Sequence, residues 1–312
     1  MAVTAAMIKE LRELTGVGMS TCKEALVEAD GNIEKAIEVL RKKGLAQAEK
    51  KAGRIAAEGL SYAYISDDNS VGVVVEVNSE TDFVAKNAQF QEFVNNVAKQ
   101  VVNSDAKTVD ELFTEKWVDD ESKTVKDALT EKIAVIGENL NIRRFEKFVN
   151  DGNGYMVSYL HAGGKVAVIV EFATDKQDDA LLEAGKNVAM QIAAMSPKYV
   201  CREEISDEYL AKEKEILIEA AKNDPKNANK PENILEKMIQ GKLNKELKEI
   251  CLVDQEYVKA EDKETVGQYV AGVAKAIGGN VSIKRFVRFE TGEGIEKKNE
   301  DFAAEVEKAI NG

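Results

Sequence analysis

The sequence predicts an α+β protein: an N-terminal three-helix unit, two related α+β core halves with antiparallel sheets, a helical hairpin inserted in the second half, and a C-terminal helix. Three patterns predict it. Residues 4–43 carry apolar side chains at helical spacing in three short segments separated by turns. Two later stretches repeat one another in order, each opening with β-branched runs and continuing with a helical stripe. The second repeat is lengthened by a charged block of helical period.

In the first unit, Met7, Ile8, Leu11 and Leu14 share one helix face, Cys22, Ala25 and Leu26 a second, and Ile33, Ala36, Ile37 and Leu40 a third. Thr15-Gly16-Val17-Gly18 ends the first helix. Asp30-Gly31-Asn32 ends the second and offers Asn32 as a cap for the third. A unit of about 40 residues is close to the smallest that folds unaided. Its outline resembles a ubiquitin-associated domain, a protein-binding module. Arg41-Lys42-Lys43 through Lys50-Lys51 and Arg54 shows no strong apolar period and reads as a partly helical linker, so the first domain and its linker span 1–54. This basic stretch lacks the interleaved aromatics that stack on bases, which weighs against nucleic acid.

The two core halves span 55–150 and 151–289. Gly59-Leu60-Ser61-Tyr62-Ala63-Tyr64 matches Gly154-Tyr155-Met156-Val157-Ser158-Tyr159, and Val73-Val74-Val75-Glu76-Val77 matches Val168-Ile169-Val170-Glu171-Phe172 at the same offset, which predicts a β-hairpin in each half. Asn96-Val97-Ala98-Lys99-Gln100-Val101 matches Asn187-Val188-Ala189-Met190-Gln191-Ile192 as an equivalent helix. Ile136-Gly137-Glu138-Asn139-Leu140-Asn141-Ile142-Arg143-Arg144-Phe145 matches Ile277-Gly278-Gly279-Asn280-Val281-Ser282-Ile283-Lys284-Arg285-Phe286 as a third strand.

The halves differ in two places. From the hairpin glutamate to the helix asparagine the first half takes 20 residues (Glu76 to Asn96) and the second 16 (Glu171 to Asn187), and the extra residues fall at Thr81 to Val84. Phe90, Phe93, Val94, Val97 and Val101 form the stripe of the following helix, and three and four residues before Phe90 stand the polar Asn87 and Lys86. Phe83 therefore does not extend that buried stripe. A segment the second half folds without is not needed for folding, and loops of this kind collect function. A compensating helix shift is the alternative account of the length difference.

The second difference is an insertion at about 206–250, where the second half is longer by 46 residues between its hairpin and its Ile-Gly-x-Asn motif. Leu210, Ile216, Leu217 and Ala220 are expected to face Ile234, Leu235, Met238, Ile239 and Leu243 across an antiparallel helix pair, with Pro231 at the first position of the second helix. Beyond Thr291-Gly292-Glu293-Gly294, a C-terminal module at 290–312 ends in an amphipathic helix marked by Phe302, Val306 and Ile310.

With 312 residues, 44% of them hydrophobic and 32% charged, the chain has the composition of a folded protein of several domains. It has neither a secretory leader pattern nor an apolar run of the ~20 residues that span a bilayer, so a cytoplasmic location without membrane is expected. A net charge of −13 opposes nucleic acid and favours a protein partner. Cys22, Cys201 and Cys251 are far apart and never in a Cys-x-x-Cys pair, so no metal site is expected. No phosphate-binding loop is present, and Gly16-Val17-Gly18 lacks the third glycine and preceding strand of a dinucleotide fingerprint, so no cofactor and no direct nucleotide binding are expected. With His161 as its only histidine, in the turn Leu160-His161-Ala162-Gly163-Gly164, the chain is not expected to be an enzyme. A binding adaptor and an acid–base enzyme are the rival readings.

Several of these motifs, in this order, resemble bacterial elongation factor Ts over nearly the whole chain: Leu14-Thr15-Gly16-Val17-Gly18-Met19 with Cys22-Lys23-Glu24-Ala25-Leu26, Glu80-Thr81-Asp82-Phe83-Val84-Ala85-Lys86, Gly137-Glu138-Asn139 with Ile142-Arg143-Arg144, and Phe289-Glu290 through Gly292-Glu293-Gly294-Ile295-Glu296-Lys297. The resemblance implies a guanine nucleotide exchange factor for the GTPase elongation factor Tu. It implies that the Thr81, Asp82, Phe83, Val84 segment enters the GTPase domain, with Asp82 and Phe83 wedging beside the magnesium and phosphate site. Arg12 and Met19 would touch a helix of that domain, with help from the C-terminal module around Val258, and His161 would lie against the third domain of the partner. It also admits a homodimer through the helical hairpin. Ser20 departs from the family, where relatives often carry a second methionine.

Overall fold

The structure, a computed structural model, describes residues 3–176, 178–227 and 230–296. Helices α1 (Ala5–Thr15), α2 (Met19–Glu28) and α3 (Ile33–Lys51) form the N-terminal bundle. Thr4 caps α1; as the turn sequences predict, Gly16 ends it in the left-handed conformation (φ 69°) and Asn32 caps α3 by accepting from the Lys35 N–H. Leu11, Cys22, Ala25, Leu26, Ala36 and Leu40 form the bundle core. Leu14 and Ile37, expected on the core faces, lie outside it, Leu14 in the last turn of α1 and 63% exposed. The basic stretch taken for a partly helical linker is helical to Lys51, and part of its charge is spent within the chain: Arg41 pairs with Asp127 (2.9 Å) and Lys43 with Glu28 (2.8 Å).

The first core half follows as β1 (Glu58–Ile65), β2 (Val71–Ser79), α4 (Asp82–Ala85), α5 (Ala88–Asn103), α6 (Val109–Thr114), β3 (Lys116–Trp117), β4 (Asp120–Thr124), α7 (Val125–Ile136) and β5 (Leu140–Val149), with sheet order β1-β2-β5. The second contains β6 (Gly154–His161), β7 (Val166–Thr174), α8 (Asp179–Met195), α9 (Asp207–Asn223), α10 (Glu232–Ile250), α11 (Val266–Ile277) and β8 (Val281–Glu290), with sheet order β6-β7-β8 and β6 antiparallel to β7. The repeat runs further than the motifs suggested. Helices α7 and α11 each start with a capping box, Thr124 with Asp127 and Thr265 with Gln268, and each ends on a left-handed glycine, Gly137 and Gly278. Between α5 and α7 the first half holds α6 and the β3–β4 ribbon, which the sequence reading did not anticipate because Trp117 is its only strong apolar signal.

The charged insertion is the helix pair α9 and α10. Ile205, Leu243, Leu247 and Cys251 form its core with Leu210 and Leu217, so early α9 meets late α10. The expected facing set is corrected: Ile216 (48%) and Ile234 (43%) are exposed, and Ala221 is buried in place of Ala220, because a seam through Leu210 and Leu217 continues seven residues apart and reaches Ala221 four further on. Pro231 stands one position earlier than expected, at the cap before Glu232. The C-terminal helix around Phe302, Val306 and Ile310 lies outside the described residues. Among the described residues no helix is long and apolar enough to cross a membrane.

By packing, the described residues divide into two compact units: 3–64, Val75–Lys147 and 289–296; and Ile65–Val74 with Phe148–Arg288. Each is organised around a buried glutamate. In the first, Glu76 is fully buried and accepts from Arg143 (3.0 Å), Arg144, Asn78 (3.0 Å) and the Gly292 N–H (2.8 Å), while the Arg144 guanidinium lies 4.2 Å from the Phe289 ring centroid. Burial pushes the Glu76 carboxyl up, but these donors outweigh it and hold it below the usual range. Gly292 has φ 77°, and a Cβ there would come within 2.1 Å of the Ala57 carbonyl oxygen, so only glycine brings its N–H to Glu76. In the second unit the repeat places Glu171 with Lys284 (3.0 Å) and Arg285, whose guanidinium lies 4.1 Å from the Phe148 ring centroid.

Asp127 supplies an acid-sensitive contact in the first unit. Burial raises its carboxyl, yet the Arg41 guanidinium and the Thr124 N–H and hydroxyl bring it down to about 2. A folded-state value below the unfolded one stabilises the fold above the unfolded value and ceases to do so as pH falls through the folded one. The urea midpoint of the wild type should therefore exceed that of Asp127→Asn at pH 6, and the difference should shrink as pH falls from about 4 toward about 2. A pH-independent difference would show that the charge makes no contribution.

Candidate functional site

Strand β2 ends at Ser79, α5 begins at Ala88, and the extra residues of the first half fold into the single helical turn α4 between them. A turn this short has no face broad enough to bury two neighbouring side chains, since successive residues point about 100° apart. Val84 goes inward, 8% exposed, and Phe83 goes outward, 78% exposed. Val84, named with the partner-contacting residues, is thus buried beneath the turn in the free chain. Lys86 Nζ stands 5.9 Å from the Phe83 ring centroid.

The turn is held at both ends. Asn87 closes it and caps α5, accepting from the Gln89 and Phe90 N–H groups (2.8 and 3.3 Å), and the Gln91 amide donates to the Ala85 carbonyl (3.1 Å). Upstream, the Thr81 N–H and hydroxyl donate to the two carboxylate oxygens of Glu138 (3.0 and 2.7 Å), and Glu80 accepts from the Asn139 N–H (2.6 Å) and from Arg54 (3.4 Å). Glu80 and Glu138 were not singled out as site residues in the sequence, although both lie in quoted motifs. Asp82 is half-buried and pairs with Lys86 (3.0 Å), an exposed i,i+4 contact worth well under 1 kcal/mol by type and so easily exchanged for another.

The other named residues lie on separate elements. Arg12, in the last turn of α1, and Met19, at the start of α2, are both exposed, Met19 at 51%, with Leu14 exposed between them. His161 is the last residue of β6, paired with Val166, and not a turn residue as expected; its Nδ1 lies 3.1 Å from the Tyr159 hydroxyl. Val258 (52% exposed) follows the short helix Leu252–Asp254, and its N–H donates to Gln191 (2.9 Å). It lies in the second unit, ahead of α11, and is therefore not part of the 290–312 module to which it was tied.

An acid–base enzyme would need carboxylates converging on a pocket. The first unit does hold a cavity of about 610 Å³, lined in part by Phe93, Trp117, Asp119, Asp120, Asp127 and Glu131, but by none of residues 81–84. Of its five carboxylates, three are engaged in this way: Asp127 by Arg41, Glu131 by Lys123 (2.7 Å) and Asp119 by the Asn96 amide. Asp120 is held below the usual range by Ser122 and Lys123, as Asp127 is by Arg41 and Thr124, which suits structure and not proton transfer near neutrality. Among the described residues no three His, Cys, Asp or Glu side chains gather as a metal site.

Comparison with known proteins places these features in a family. Residues 80–293 match the family model described as elongation factor TS. Across 309 residues the chain is 50% identical to elongation factor Ts of Clostridium novyi (strain NT), and across 308 it is 51% identical to elongation factor Ts of Clostridioides difficile (strain 630), in both cases covering 99% of each chain. Elongation factor Ts of Clostridium botulinum (strain 657 / Type Ba4) is 50% identical over 309 residues. The match begins at Glu80, the residue that opens the exposed turn, and with identity of this extent the chain belongs to the elongation factor Ts family of translation elongation factors.

Proposed function

We propose that this protein is the guanine nucleotide exchange factor of elongation factor Tu, acting in the cytoplasm, and that it releases GDP by inserting the Asp82–Phe83 turn beside the magnesium and phosphate site of that GTPase. The observation that carries the proposal is the Phe83 ring, 78% exposed on a helical turn tied down at both ends and without a counterpart among the described residues of the second half. The exchange factor forms and breaks no covalent bond. It binds no nucleotide itself, needs no cofactor, and works through its partner.

Magnitudes require more than one contact. A nanomolar nucleotide is held by about 12 kcal/mol, and speeding its loss by about 10⁴ takes roughly 5.5 kcal/mol relative to the transition state for release. Burying one phenylalanine contributes about 1.5–3 kcal/mol. The N-terminal bundle, read as a ubiquitin-associated-like module, offers Arg12, Met19 and Leu14 as a second surface, and His161 and Val258 of the second unit offer further ones. Binding linkage is reciprocal, so a factor that weakens nucleotide is itself displaced when GTP binds. Magnesium loss removes positive charge beside the phosphates, and an approaching Asp82 carboxylate disfavours them further. A homodimer through α9 and α10 would cover the outward Ile216 and Ile234.

The test is direct. Elongation factor Tu loaded with a fluorescent GDP analogue is chased with excess GDP, with and without the purified chain. Acceleration at substoichiometric amounts is expected, since an exchange factor turns over. No acceleration, with folded chain and active GTPase, would overturn the proposal in favour of a binding adaptor.

A further inference from the structure

We infer that Glu138 is the positioning residue of the exchange turn: its carboxylate grips Thr81 and thereby sets the direction in which Phe83 is presented. The inference rests on the exchange reading above. Its geometric basis is a reciprocal clasp within the first unit. Thr81 gives its N–H to Glu138 Oε2 (3.0 Å) and its hydroxyl to Oε1 (2.7 Å), while Asn139 gives its N–H to Glu80 Oε1 (2.6 Å). Thr81 occupies the N-cap position of α4, yet its side chain makes no capping bond to the turn. The hydroxyl that would ordinarily accept from the turn is a donor to Glu138 instead. The start of α4 is thus fixed to the segment entering β5 and not merely to itself.

The second half of the chain supplies an internal control. The hairpin strands correspond at an offset of 95 residues, which sets Asp175 at the place of Glu80 and Lys176 at that of Thr81. The third strands correspond at an offset of 141, which sets Gly279 at the place of Glu138 and Asn280 at that of Asn139. One side of the clasp survives: Asp175 accepts from the Asn280 N–H (2.9 Å), as Glu80 does from Asn139. The other side is gone, because glycine has no carboxylate, and Lys176 donates to the carbonyls of Ile277 (3.0 Å) and Gly278 (2.6 Å). Among the described residues the second half also proceeds from β7 to α8 with no helical turn between them. The contact both halves keep serves the shared fold. The contact that accompanies the turn is that of Glu138.

Fixing the turn in advance removes an ordering cost that would otherwise fall on the complex. Release of GDP depends on where the ring lands, so a loosened turn should lower the rate at saturating factor more than it raises the half-saturating concentration. Glu138→Gly, which installs the residue of the second half, is expected to reduce the saturated release rate by about tenfold or more, in line with losing charge-assisted hydrogen bonds. Thr81→Val, which keeps the shape but removes the hydroxyl, should fall between that variant and the wild type. On a Phe83→Ala background, Glu138→Gly should cost much less than in the wild type, because the ring is gone and only Asp82 is left to aim.

The outcomes separate two failures. If Phe83→Ala releases GDP at the wild-type rate, the exchange-turn reading itself falls. If Phe83→Ala is slow but Glu138→Gly and Thr81→Val are not, only the positioning role falls. Full additivity of Glu138→Gly with Phe83→Ala would also overturn it, since Glu138 would then act elsewhere. Should Glu138→Gly fail to fold, Thr81→Val alone and combined with Phe83→Ala gives the same decision.

Discussion

Phe83→Ala is expected to slow factor-stimulated GDP release from elongation factor Tu by about 10- to 150-fold, the rate equivalent of losing the burial of one phenylalanine in the complex. The chain itself should stay folded. A ring that is 78% exposed contributes little to the core, so the unfolding midpoint should move by no more than an exposed substitution moves it, about 0.5 kcal/mol. Activity should not vanish, because one side chain supplies only part of the roughly 5.5 kcal/mol that a 10⁴-fold acceleration requires. Asp82→Ala should cost less than Phe83→Ala, since the Asp82 carboxylate already shares its charge with Lys86 at 3.0 Å. Stopped-flow release at saturating factor measures both. A wild-type rate for Phe83→Ala would remove the wedge, and a wild-type rate for Asp82→Ala would remove the electrostatic contribution alone.

Glu76→Ala should have the largest effect on stability of any single substitution considered, a loss of about 3–5 kcal/mol, the usual result of deleting one partner of a buried ion pair. Glu76 is fully buried and gathers two arginines, an asparagine amide and the Gly292 N–H. Its removal would strand the buried Gly292 N–H and take from Arg143 and Arg144, about a quarter to a third exposed, the carboxylate they share. Against a typical total of 5–15 kcal/mol, such a loss is a large fraction. Urea unfolding followed by circular dichroism reads it. A loss below about 1 kcal/mol would mean that Arg143 and Arg144 find other acceptors and that the cluster is not what holds the first unit together.

The outward direction of Phe83 was legible in the sequence by itself, because helical period is local: Lys86 and Asn87 occupy the places where a continuing apolar stripe would stand, and the second half lacks the segment altogether. The same locality made the two hairpins, the glycine stops and the Asn32 cap readable, since each depends on residues within a few positions of one another. The halves could be aligned for the same reason.

What only the tertiary structure decided are the partners of charged and marginal side chains. Glu76 reads as one more glutamate in a strand, yet it is the buried centre of its unit, and its partners Arg143 and Gly292 lie 67 and 216 residues away. Thr81 meets Glu138 across 57 residues. Leu14 and Ile216 look like core positions by period, but a helix can satisfy its stripe several ways, and the packed neighbours choose which residues the seam includes. Burial of Val84 follows equally from what lies beneath the turn. Periodicity fixes which way a side chain can point; only the folded chain brings up the distant donor, acceptor or apolar surface that gives the direction its energy.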